Sequence, residues 1–382
     1  MTEPDVLDAS ALAEIEGMLS TLSRQFTEAG FEPVQPAHLF PAETLLDLYG
    51  EDIRGRAFLF PDPAHGDEMC LRPDFTVPVA MAHGTRGWER AGRYSYQGPV
   101  FRQQEAGITR PIEYLQAGIE DFGDRDEADA DCRIFRIIHH GLDALSAPPH
   151  STTIGDLGIV FALLDALEMP EGRRHQLRRH IWRPARFHDL LARFGRPPPD
   201  PSPRRSELLA AVAEDRFEEI LADAGEVMGL RSPLSIRDRA RTLLARSADP
   251  VMPEECVRLI EAVLDLECPA DHAPQRLADL SVSGGADIAA ALDTLSRRLD
   301  ALAGAGFDLS AIAYDAAFGR KLEYYDGFVF EVVAKDWPSG IPLAGGGRYN
   351  TITARLGAET PRPAVGGIIR PEAVREARAQ WR

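Results

Sequence analysis

In the stretch EYLQAGIEDF (113–122), polar and apolar side chains alternate. Successive residues of a strand point to opposite faces. Leu115, Ala117 and Ile119 therefore share one face, and Gln116, Gly118 and Glu120 share the other. The first face suits packing on helices. The second carries an amide and a carboxylate with only a glycine between them, which leaves room for a small molecule to approach. With the preceding GPVFRQQEAGITRPI (98–112), the stretch reads as two strands joined by a long turn. Hairpin pairing then brings Arg102 to the same polar face. LRPDFT (71–76) repeats the pattern, with Arg72, Asp74 and Thr76 of one parity and Leu71 and Phe75 of the other. A sheet with one solvated face would also carry such groups. Three segments presenting both signs of charge on one face point instead to a zwitterion, whose ammonium wants carboxylates and whose carboxylate wants an arginine fork.

Two further stretches carry groups of this kind. FGRKLEYYDGFVFEV (318–332) sets Arg320, Tyr324 and Tyr325 ahead of a strand. Aromatics there often serve a core, but beside carboxylates a phenol can donate to a ring nitrogen. LAGGGRYN (343–350) reads as a glycine-rich turn, and its three glycines let the backbone come very close to a ligand. It lacks the strand–GxxxxGK[ST]–helix setting of a phosphate loop, and no GxGxxG opens a helix. His139 and His140 fall in a helical pattern and read as satisfied or surface histidines. The sequence has no Ser/His/Asp arrangement, HExxH helix or EF-hand loop.

The elements that hold these residues follow from periodicity. LAEIEGMLSTLSRQFTEAGF (12–31) has apolar residues at helical spacing and stops at Gly30. The prolines of EPVQPAHLF break helix, and AETLLDLYG is a second short helical pattern. Residues 57–122 alternate as strands with Gly and Pro turns, and Asp126 to Leu145 is helical again. Residues 161–304 are rich in Ala, Leu, Arg and Glu, with almost no strand signal. They are interrupted by RPPPDPSPRR (196–205) and SVSGG (281–285), which predicts a mainly helical insertion. Strand character returns in FVFEVV and IPLAGGGRY, before a last helix from Pro371. Strands, then helices, then strands of the same sheet predict an α+β fold. Residues 1–160 and 305–382 are read as two parts of one domain, split by the insertion.

Length and composition bound the function classes. A chain of 382 residues suits two domains, or one with a large insertion. No run approaches the ~20 apolar residues of a membrane span. MTEPDVLDAS lacks the basic-then-apolar layout of a secretory signal. Cys70, Cys132, Cys256 and Cys268 form no CxxC pair and have no His at ligand spacing. This argues against a zinc site or disulfide framework and for reduced thiols in the cytoplasm. The formal net charge of −18 opposes polyanions, nucleic acid included.

In this order, the segments resemble the catalytic domain of histidyl-tRNA synthetase, a class II aminoacyl-tRNA synthetase. LRPDFT looks like that family's LRPEGT, and GPVFRQQ…YLQAGIE looks like its motif 2. GRKLEYY resembles RGLDYY, AGGGRYN resembles AGGRYD, and PAVGGIIRPEAV occupies the place of motif 3. The resemblance covers roughly 1–155 and 305–382. It implies a six-stranded antiparallel sheet flanked by helices and a homodimer formed near FEPVQPAHLF. Carried over by position, Asp74, Thr76 and Gln116 take a histidine ammonium, and Arg102 and Arg320 face its carboxylate. Glu120 and Tyr325 bond the imidazole, beside Tyr324. Strand parity sets Tyr325 opposite Arg320, so this set requires a bend between them.

The nucleotide half of the motifs departs from the synthetase pattern. Gln104 stands where motif 2 has a Glu, Glu105 where an arginine is usual, and Ile112 replaces a second arginine. Ala373 falls on the motif 3 arginine, and Arg370 sits three places early. Adenylate formation needs cationic clamps, and losing one such donor costs ~2.7–4 kcal/mol. No anticodon-binding domain is expected after motif 3. A kept histidine pocket with an eroded ATP clamp is similar to the family of ATP phosphoribosyltransferase regulatory subunits, which also carries RPDFT. That resemblance implies a non-catalytic subunit, without cofactor, pairing with a short-form catalytic subunit in a hetero-octamer. It also implies histidine as feedback effector of the first step of histidine biosynthesis. The alternative is a truncated histidyl-tRNA synthetase or a free-standing synthetase-like ligase.

Overall fold

The computed structural model describes residues 7–43, 48, 55–104, 111–197, 202–223, 232–247, 249–319 and 324–381. Its strands are β1 (Glu32–Pro33), β2 (Leu39–Pro41), β3 (Leu59–Pro61), β4 (Glu68–Leu71), β5 (Gly92–Phe101) and β6 (Glu113–Phe122). They continue as β7 (His150–Asp156), β8 (Glu267–Pro269), β9 (Ile312–Asp315), β10 (Phe328–Ala334), β11 (Ala344–Arg348) and β12 (Ala364–Ile369). Among the described residues nine strands form one sheet, in the order β1-β5-β6-β12-β11-β10-β7-β9-β8. The six from β5 to β7 in that order are antiparallel throughout. The expected six-stranded antiparallel sheet is therefore the centre of a mixed one. At one edge β1 adds parallel to β5; at the other β9 adds parallel to β7, and β8 antiparallel to β9.

Register fixes what each face carries. One cross-strand row runs Tyr96, Gly118, Ile368, Gly345, Glu331, and the next runs Tyr94, Glu120, Gly366, Gly347, Val329. Four glycines in two rows strip this face of side chains at its centre. The opposite face, with Ala117 and Ile119, is covered by the helix Glu127–Ala144. A Cβ at Gly367 would meet Ile138 and Ile134 of that helix. The helix starts where Asp126 accepts a hydrogen bond from the Asp129 amide, a side-chain cap for an unsatisfied donor.

The stretch 344–348, expected as a turn, is the inner strand β11. Its glycines make it thin rather than bent. Residues 71–76, expected as one strand, end a strand at Leu71 and begin the helix Thr76–Arg86. Pro78 is tolerated because it lies in the first turn of that helix, where the missing N–H has no intrahelical partner to lose. The first helix spans Ala9–Glu28, with Gly30 at φ +87 just beyond it, as read. The pattern AETLLDLYG falls largely outside the described residues.

The insertion is shorter than read. The chain divides into one unit of 1–163 with 262–382 and a second of 164–261. Residues 262–304 belong to the first because β8 joins its sheet and the helix Ala289–Gly304 packs on Glu127–Ala144. A three-residue strand ending in proline leaves no alternation to read. The second unit is helical. Phe187, Leu190, Leu191 and Phe194 lie on one stripe of the helix Pro184–Phe194 and are buried. A smaller core gathers Val212, Phe217 and Ala240.

A buried ionic cluster ties the first unit together. Arg298 donates to Asp131 at 2.7 Å and to Asp156, and Arg348 donates to the other Asp131 oxygen at 2.7 Å. It fixes the long helix to β7, β11 and the helix Ala289–Gly304. The three aspartate and arginine pairs are too far apart in sequence to be read as partners.

Candidate functional site: a mixed-charge cavity on the glycine face

A cavity of about 100 Å³ opens over the glycine face. Asp74, Thr76, Arg102, Gln116, Tyr324 and Tyr325, from four separate segments, all line it. Tyr349, Glu331 and Arg370 line it as well.

The turn after β4 sorts its own polar residues. Arg72 does not reach the cavity lining. It is fully buried, donates to Pro99 O at 2.9 Å and Pro36 O at 2.8 Å, and lies 3.9 Å from the Phe75 ring centre. It is a strut tying the turn after β4 to β5 and to the segment between β1 and β2. Gly98 is required beside it: φ is +147, and a Cβ there would sit 2.8 Å from Arg72 Nη2. Asp74 is turned to the cavity with 3% exposure, and Arg102 Nη2 lies 3.5 Å from its Oδ2. Arg102 is steadied by donating through Nε to Pro73 O at 2.7 Å.

Gln116 projects from β6 at 2% exposure, and its Oε1 has no hydrogen-bond partner among the described residues. A buried amide oxygen of this kind is costly unless something donates to it. Glu120, two rows further along β6, lies behind the wall rather than in the lining. Its oxygens accept from Thr76 Oγ1 at 3.0 Å, from Tyr96 OH at 2.9 Å and from Tyr349 OH. Glu120, expected from sequence to bond a ligand ring, is thus joined to the lining through Thr76 and Tyr349. Burial pushes the Glu120 carboxyl up to about 7, with the three hydroxyls pulling down and the Asp74 charge adding to the rise.

Tyr324 and Tyr325 pack with ring centres 4.6 Å apart, and their phenols are hydrogen-bonded. Burial raises both phenols, so they are neutral hydroxyls at any physiological pH. Arg320 lies outside the described residues, and so do residues 321–323, on which the expected bend falls. Glu105 likewise falls outside them. Gln104 is engaged locally, donating to Pro111 O at 2.7 Å, while Ile112 is exposed and Ala373 is buried in the helix Pro371–Trp381.

Four lining or supporting residues were missed from sequence. Tyr96 had a signal: it sits opposite Gly118 in the hairpin and shares the polar face. Glu331 had another, as an acid in the middle of FVFEVV. Tyr349 and Arg370 had none, because their direction depends on where β11 and β12 end. Among the described lining residues there is no His, Cys, Ser or Lys. All four cysteines are free. Among the described residues, no group of three His, Cys, Asp or Glu is placed to hold a metal ion, and no helix is long and apolar enough to cross a membrane. The cavity lining thus carries side chains of both charges.

Comparison with known proteins agrees with this architecture. The histidyl-tRNA synthetase family model matches residues 4–192 and 212–374. The ATP phosphoribosyltransferase regulatory subunit of Mesorhizobium japonicum is 37% identical over 377 residues, covering 94% of this chain and 97% of that protein. The protein of the same name from Agrobacterium fabrum is 37% identical over 366 residues, covering 93% and 95%. Among solved structures, an ATP phosphoribosyltransferase regulatory subunit/histidyl-tRNA synthetase from Bacillus halodurans superposes with TM-score 0.65 at 20% identity, covering 99% of this chain and 83% of that one. A histidine–tRNA ligase subunit from Alicyclobacillus acidocaldarius gives 0.60 at 23% identity, covering 100% and 98%. The last two carry the fold alone. With relatives of this identity along nearly its whole length, the chain belongs to the family of ATP phosphoribosyltransferase regulatory subunits, built on the histidyl-tRNA synthetase fold.

Proposed function

We propose that the cavity binds free histidine as a feedback effector, and that the chain does not itself catalyse a reaction. In this reading Asp74, Thr76 and Gln116 receive the ammonium, Arg102 receives the carboxylate, and Tyr325, packed on Tyr324, meets the imidazole. Glu120 orients Thr76 and Tyr349 from behind. Arg320 is assigned to the carboxylate as well. The observation that carries the reading is the convergence of an acid, an arginine and an unsatisfied buried amide oxygen on one small cavity. A zwitterion answers all three together.

The partner is a short-form ATP phosphoribosyltransferase catalytic subunit in a cytoplasmic hetero-octamer, with this chain as a homodimer through its synthetase-like domain and no nucleic acid bound. The chain would be required for the first step of histidine biosynthesis. Histidine alters the partner only by binding one state of the assembly more tightly, a coupling of ~1–3 kcal/mol. Phosphoribosyltransferase activity of the catalytic chain should appear on mixing with this chain and fall when histidine is added. A mixture no more active than the catalytic chain alone refutes the partnership. Histidine-dependent ATP–pyrophosphate exchange by this chain alone would favour the ligase alternative.

A further inference from the structure

Arg370 follows the last residue of β12 and immediately precedes the helix Pro371–Trp381. Nothing local asks for an arginine there. The residue before a helix favours Ser, Thr, Asp or Asn, and a cation at this end opposes the helix dipole. The acid that suits the end is supplied by Glu372, which accepts from the Leu115 amide at 2.8 Å. The Arg370 side chain instead lines the cavity, half-buried, with Nη1 donating to Pro342 O at 3.0 Å. No carboxylate among the described residues lies within 4 Å of its guanidinium.

Arg102 lines the same cavity just after β5, which runs in the same direction as β12, so both arginines follow strand ends at one end of the sheet. One small cavity thus receives two guanidiniums. Burial, chiefly, and the charge of Arg102 lower the Arg370 pKa, against opposing pulls from Tyr114 and Glu331, while Asp74 lies 3.5 Å from Arg102. A ligand carboxylate is an anion with about four acceptor sites, enough for two forks. A carboxamide is neutral, and its NH2 would face guanidinium donors.

We propose that Arg370 is a specificity-determining residue that joins Arg102 in clamping the free carboxylate of the bound amino acid, so that the cavity rejects ligands whose carboxylate is amidated, esterified or acylated. The inference rests on the histidine reading above and adds the selection for an unmodified carboxylate. It gives the site a regulatory sense, since a sensor of free amino acid must ignore its activated forms.

The test is calorimetric titration of the full chain and its Arg370→Met and Arg370→Lys variants with L-histidine and with L-histidinamide. The wild type should prefer histidine, and Arg370→Met should lose histidine affinity by about 10- to 100-fold, the size of a lost charged hydrogen bond. Histidinamide binding should stay unchanged or improve, which also shows that the variant is folded. Arg370→Lys should keep part of the preference. Unaltered discrimination in Arg370→Met, or equal loss of both ligands, would overturn the clamp while leaving histidine binding in place. A wild type that binds neither compound would overturn the histidine reading and the clamp with it.

Discussion

Glu120 offers a quantitative test of how the wall behind the cavity is built. Its carboxyl is raised from 4.5 to about 7 by burial, and its described hydrogen-bond partners are neutral hydroxyls. A carboxyl whose folded-state pKa exceeds its unfolded value holds its proton more tightly when folded. The resulting stabilisation is complete below 4.5 and is lost as pH rises through 7. The shift corresponds to about 3 kcal/mol, most of it lost between pH 5 and pH 8. Glu120→Gln removes the ionisation. Its amide NH2 must face one hydroxyl, but a hydroxyl can turn to accept, and that cost is the same at every pH. Scanning calorimetry of both proteins across this range therefore isolates the ionisation. At about 2 °C per kcal/mol for a unit of this size, the variant should gain roughly 5 °C on the wild type between pH 5 and pH 8. Parallel curves would mean that Glu120 is solvated or paired with a cation, and the described wall would be wrong.

Three contrasts test other parts of the account. Gly366→Ala would put a Cβ 1.6 Å from Glu120 Oε2, so it should cost at least about 3 kcal/mol through overpacking and lost bonds to the carboxylate. Gly17→Ala, with open space around it in the first helix, should stabilise by up to about 1 kcal/mol in the same thermal assay. Arg298→Met leaves Asp156 without its cation in the interior and Asp131 with Arg348 alone, and should cost ~3–5 kcal/mol, whereas Arg297→Ala breaks only an exposed pair with Asp293 and should cost under about 0.5 kcal/mol. In the mixed complex, Arg102→Ala should abolish inhibition by histidine while activity without histidine persists; intact inhibition would remove Arg102 from the site.

The features legible in the sequence were those set by short-range periodicity. Alternation through 113–122 placed Gln116 and Glu120 on one face, and register confirms that placement. Parity along 71–76 was the wrong argument, because Asp74 and Thr76 reach the cavity from a turn and a helix start. Glycine content at 345–347 signalled a close approach of backbone, but not that the approach occurs within a central strand. What could not be read depends on distant partners. Arg72 carries the same charge as Arg102 and similar spacing, yet it is consumed by the backbone carbonyls of Pro36 and Pro99. Asp131, Arg298 and Arg348 meet only once the sheet and two helices are assembled. The place of Glu120 behind the lining was equally hidden, because sequence does not show that Tyr96 and Tyr349 reach its oxygens.

The most direct test of the central claim is a calorimetric titration of the full chain with L-histidine, alongside Gln116→Ala and Arg102→Ala. Saturable binding at one site per chain, lost or greatly weakened in both variants, is the predicted result. An absence of binding, or binding that both variants leave unchanged, would contradict a histidine site in this cavity.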